Sequence, residues 1–106
     1  MTFRLDHVSM IEPGAFTSVA NLIIGGEPNA VSLDFGEVIL RQLCEMFPEA
    51  FQFVLQAAGR EKLSAEGTVD LDAPILIKVE AKLGRPQRAA DDEEFVPLVV
   101  QSVTKV

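Results

Sequence analysis

These 106 residues predict an α+β fold. The expected order is an N-terminal β-hairpin, a central pair of helices divided at Pro48, and a C-terminal β-hairpin. Three observations predict it. Residues 33–59 carry helix start and stop signals around apolar residues at helical spacing. Residues 75–83 carry the cleanest period-two pattern in the chain, with Ile75, Ile77, Val79, Ala81 and Leu83 on one face and Lys78, Glu80 and Lys82 on the other. Near the N-terminus, Glu12-Pro13-Gly14-Ala15 has the chemistry of a type II turn between two apolar stretches. The alternative is a mainly helical C-terminal half. Leu76, Val79 and Leu83 also fall at helical spacing, as do Phe95, Val99, Val103 and Val106.

Residues 2–11 read as a strand. Phe3 and Leu5 share one face and Val8 and Met10 the other, which predicts a bulge or twist near Asp6-His7. Residues 16–24 are rich in β-branched side chains and read as a second strand, although Phe16, Val19, Ala20, Ile23 and Ile24 also suit a helix. Glu27-Pro28-Asn29 reads as a turn and residues 30–33 as a short strand. Asp34 is placed to cap the first helix, with Glu37 completing a capping box and Leu33 and Val38 a hydrophobic staple. Ile39, Leu40, Leu43, Met46 and Phe47 form its apolar stripe, and Arg41 is spaced to pair with Glu45. Pro48 ends or kinks that helix. Phe51, Val54, Leu55 and Ala58 form a second stripe, stopped by Gly59. Residues 60–67 and 84–94 read as polar loops, and residues 95–106, rich in Val, as the last strand.

A chain of this length is expected to form a single domain. Its hydrophobic content of 48%, with seven Phe and no Trp or Tyr, is enough for a modest core. The net charge of −7 disfavours nucleic acid and anionic membranes, whose phosphates need clustered Lys and Arg. No apolar run approaches a membrane span, and the N-terminus lacks a signal peptide's apolar stretch. The single cysteine, Cys44, excludes an internal disulfide and fits a reducing compartment, the cytoplasm, or a host cytoplasm for a viral protein.

No constellation predicts catalysis, a cofactor or a metal. His7 is the only histidine and has no Cys or His neighbour at ligand spacing. A dyad with Cys44 would put a reactive thiol in mid-helix, where such thiols are rare. The run Asp91-Asp92-Glu93-Glu94 lacks the pattern of a calcium loop, and Asp70 and Asp72 read as a solvated pair. Gly25-Gly26 has no following Gly-Lys-Ser/Thr and is not a phosphate loop. Lys78, Lys82, Arg85 and Arg88 form the only basic cluster. Their strand–loop–strand setting is similar to the last hairpin of an oligonucleotide-binding barrel, but Phe95 alone is there for base stacking.

The run Leu33-Asp34-Phe35-Gly36-Glu37-Val38, followed by Leu43 and Met46-Phe47-Pro48-Glu49, resembles the "Leu-Ser-Phe … Phe-Pro-Glu" segment of small tail assembly chaperones of tailed bacteriophages. Ala57-Ala58-Gly59, Leu83-Gly84-Arg85-Pro86 and Phe95 extend the similarity. In that family a short β-rich part precedes a helix ending at Phe-Pro. The resemblance implies virion assembly by a non-enzymatic protein without cofactor, which coats the hydrophobic tape measure protein before the tail tube polymerises.

The expected function is therefore binding of a protein partner, with Met46, Phe47, Phe51 and Phe53 as candidate contacts. Self-association into a homo-oligomer stays open. The competing expectations are an oligonucleotide-binding-barrel-like domain for single strands, using Lys78, Lys82, Arg85 and Arg88, and an acidic inhibitor or DNA mimic.

Overall fold

The computed structural model describes residues 1–12, 14–24, 27–52, 68–88 and 92–106. Strands dominate it: β1 (Thr2–Glu12), β2 (Ala15–Ile24), β3 (Glu27–Gly36), β4 (Thr68–Leu83), β5 (Gln87–Arg88), β6 (Glu94–Phe95) and β7 (Leu98–Lys105). A single helix, α1 (Glu37–Met46), stands among the described residues between β3 and β4. Five strands close into a barrel in the order β1-β2-β3-β7-β4, and β5 and β6 form a small separate ribbon.

The expected α+β arrangement is thus wrong, and so is its helical alternative. The stretches read as terminal hairpins are β1–β2 and β4–β7, but β1 also pairs with β4. That pairing joins the two hairpins into one sheet, and the parallel pairing of β3 with β7 closes it. Local alternation shows that a segment is a strand; it says nothing of which distant strand will lie beside it. Among the described residues α1 is the one helix, and the second stripe at Val54, Leu55 and Ala58 lies outside them.

Alternation along the strands fills the barrel. Phe3, Leu5 and Val8 of β1 are buried, as are Phe16, Ser18 and Ala20 of β2, Leu33 and Phe35 of β3, Ile75, Ile77 and Val79 of β4, and Val100 and Val103 of β7. The Phe16 and Phe35 rings stack at 6.1 Å. Burial of both Leu5 and Val8, three residues apart, requires the irregularity expected near Asp6-His7. Between the Arg4 and Ser9 pairs, β1 runs five steps against four on β2. His7 occupies that bulge. The Val19 N–H donates to His7 Nε2 at 3.4 Å, and the Ser18 hydroxyl donates to the His7 carbonyl at 2.7 Å. Side chains here replace ladder bonds that the extra residue displaces.

The β1–β2 turn has Gly14 at φ +82°, the left-handed value that a type II turn needs at its third position. β3 is longer than the expected strand because Glu27 already pairs with Ile24, and no turn interrupts it at Pro28. β4 has the largest irregularity. Between its Asp70 and Ile75 pairs it runs five steps against two on β1, so three extra residues bulge out around Leu71–Pro74. Pro74, which cannot donate to a ladder, sits in that bulge.

Candidate functional site

Two of the candidate residues meet at a surface cleft where α1 leaves the barrel. α1 begins later than its sequence suggests. Gly36 is the N-cap, with no side-chain cap bond. Asp34 remains in β3 opposite Thr17, and its Oδ2 accepts a 3.4 Å hydrogen bond from Gln87 Nε2. Val38 is 68% exposed, so the staple does not form. The β2–β3 ladder continues to the Ala15–Gly36 pair, and its bonds hold Asp34 extended where local capping preference would have started a helix. Arg41 pairs with Glu37 at 2.8 Å rather than with Glu45. Glu placed N-terminal to its cation is the better orientation on a helix.

The helix buries Ile39, Leu40, Leu43 and Cys44. It ends where the Phe47 N–H donates to the Leu43 carbonyl at 2.9 Å. Pro48 follows, and the Phe51 N–H donates back to the Phe47 carbonyl at 3.2 Å. This turn sends Phe51 wholly into the core, while Met46 and Phe47 stay half-buried. Opposite them, the bulge of β4 is tied to the turn by the Asp72 N–H donating to the Ala50 carbonyl at 2.9 Å. The result is an open cleft of about 400 Å³ between the turn and the bulge. Met46, Phe47 and Pro48 form one wall, and Ala73, Pro74 and Ile75 the other. Glu49 and Lys105 stand on its rim, with the Lys105 ammonium 5.3 Å from the centre of the Phe47 ring.

Of the four expected contacts, Met46 and Phe47 meet at this cleft. Phe51 does not: it is 0% exposed and serves the core. Phe53 lies outside the described residues. Sequence reading missed Ala73, Pro74, Ile75 and Lys105. Lys105 reaches the cleft because β7 pairs with β4 in the register Ile77–Lys105, a long-range choice without a local signature. The one available hint was Pro74 at the head of an alternating run, a residue that strands tolerate at irregularities.

The basic set does not gather into a groove. Lys78 and Lys82 are exposed on β4, but Glu80 stands between them on the same face. Arg88 Nη2 lies 3.6 Å from Glu94 across the β5–β6 ribbon, and Arg85 is exposed beyond the end of β4. Phe95 is half-buried.

His7 and Cys44 form no dyad. His7 Nδ1 lies 2.7 Å from Asp6 Oδ1 while Nε2 takes the Val19 N–H, so both ring nitrogens are engaged. The hydrogen bond from His7 holds the Asp6 carboxyl below its ordinary value. Burial pushes the Cys44 thiol up, the Glu45 carboxylate adds to the shift, and the group is kept as a thiol. Among the described residues, no three His, Cys, Asp or Glu side chains stand together to hold a metal. No helix among them is long and apolar enough to cross a membrane. No family model matches the chain, and no curated protein or solved structure matches it.

Proposed function

We propose that this protein works by binding another protein, without catalysis, and that the cleft between the end of α1 and the β4 bulge receives part of the partner. One observation carries the reading. Phe47 and Phe51 are four residues apart in one turn, yet Phe51 is consumed by the core and Phe47 is left as a cleft wall beside Met46. Flexible Met and flat aromatic side chains at an open apolar cleft suit peptide capture. The resemblance to tail assembly chaperones supports a long hydrophobic partner such as a tape measure protein. The same residues carry that resemblance, for Phe47-Pro48 closes the helix and shapes the cleft.

A photo-crosslinking residue at position 46 tests the reading in the native source, with the same residue at Leu83 as control. Leu83 is 75% exposed on a different part of the barrel. The expected result is one dominant crosslinked protein from position 46, lost when Phe47→Ala is added, and no such product from position 83. Equal products from both positions, or none from 46, would overturn it.

The barrel itself favours a second reading. A closed five-stranded barrel with a parallel β3–β7 pair resembles the oligonucleotide-binding barrel, whose β2–β3 face and loops hold single strands. Against it, Val19, Ser32 and Asp34 occupy the β2–β3 ladder where stacking rings and cations would serve. A mobility shift of single-stranded DNA at low salt would revive this reading; none is expected.

A further inference from the structure

We propose that the cleft selects an apolar peptide segment carrying an acidic side chain, with Lys105 as the residue that reads the acid. This rests on the protein-binding reading and names the partner's chemistry at that site. Apart from its two rim charges, the cleft is built from Met46, Phe47, Pro48, Ala50, Ala73, Pro74 and Ile75, so most of what enters must be apolar. Its volume of about 400 Å³ falls in the range of sites that enclose ligand-sized groups.

The cation on the rim decides the polar part. Among the described residues Lys105 makes no ion pair, and its ammonium lies over the Phe47 ring. An ammonium has three donors, and a Phe face is the weakest of the aromatic partners. A carboxylate can therefore join Lys105 while the ring contact persists. The ring also limits where the flexible Lys105 side chain swings, which reduces the ordering cost of a new pair. Glu49, the other charged rim residue, is not within ion-pairing distance of Lys105. The chain's net charge of −7 opposes an acidic ligand at long range, but physiological salt screens that field beyond about 8 Å, and contact with Lys105 is closer than that.

The test uses three synthetic peptides with the core Leu-X-Leu-Leu between Gly-Ser flanks, where X is Glu, Gln or Lys. Binding is followed through the ¹³C-labelled methyl of Met46 in the full chain. The Glu peptide is expected to bind about three- to fivefold tighter than the Gln peptide, the size of an exposed ion pair. K105Q should abolish that preference while leaving the Gln peptide's affinity unchanged, and K105E should favour the Lys peptide instead. Lys105 is exposed, so both variants are expected to keep the fold, which the methyl spectrum of the free protein checks. Equal binding of the Glu and Gln peptides to the native chain, or a Glu preference that survives K105Q, would overturn the role of Lys105 and leave the cleft as a docking site. No shift of the Met46 methyl with any peptide would overturn this proposal. If the position-46 crosslink is also absent, the protein-binding reading falls with it.

Discussion

The β1–β2 wall of the barrel and the turn after α1 handle irregularity in opposite ways. At the His7 bulge of the wall, one extra residue on β1 is absorbed and its consequences are closed off. Ser18 is fully buried, yet its hydroxyl reaches the His7 carbonyl, and the His7 ring takes the Val19 N–H. At the turn, the irregularities of Pro48 and of the β4 bulge face each other without filling the space between them. The wall shows how a sheet repairs a bulge when both flanking strands must stay paired. The turn shows what happens when two irregular segments meet, joined by the backbone bond from Asp72 N–H to Ala50 C=O. Among the described residues the packing there is incomplete, and incomplete apolar packing is the raw material of a binding site.

Replacing Phe51 and Phe47 separately gives the largest contrast. Phe51→Ala should cost about 3–5 kcal/mol in urea unfolding, as for other buried Phe side chains. Phe47→Ala should cost only about 1 kcal/mol, in keeping with partial burial. Equal losses would mean that Phe47 belongs to the core and that the cleft is ordinary packing. Ser18→Ala probes the wall. It should cost about 1–2 kcal/mol, because the His7 carbonyl loses its donor in a partly buried setting. An unchanged urea midpoint would show that water or a shifted strand satisfies that carbonyl.

Asp34→Ala asks where α1 starts. A true N-cap would cost about 1 kcal/mol. The strand position predicts less than about 0.5 kcal/mol, the usual range for a substitution that breaks no buried contact. The smallest effect concerns Asp6. Its pKa is lowered in the fold by His7, so its contribution to stability is present above the ordinary aspartate value and is lost as pH falls through the lower folded value. Asp6 is half-exposed, and solvent weakens the effect. The stability gap between the native chain and Asp6→Asn should therefore be small at pH 7 and shrink further toward pH 3. A gap that widens on acidification would reverse the assigned sign.

The alternation of the strands and some of the breaks between elements were legible locally, although the turn expected at Glu27-Pro28-Asn29 is strand. Leu5 and Val8 announced the β1 bulge, Pro13-Gly14 the first turn, and Phe47-Pro48 the end of the helix. These are local properties, set by side-chain period and by the backbone limits of Pro and Gly. Barrel closure was decided only in three dimensions. The β1–β4 pairing joins Thr2 to Lys78 across most of the chain, and no window of sequence records it. The helix start was also a tertiary choice, because ladder bonds to β2 outweighed a good capping pattern at Asp34. The cleft is a product of the same choices. Met46 and Phe47 were visible as an apolar pair, but Ala73, Pro74, Ile75 and Lys105 reach them only through the register of β4 against β1 and β7. Register sums over many weak contacts at once, which is why it is legible in the folded molecule and not in any segment of the chain.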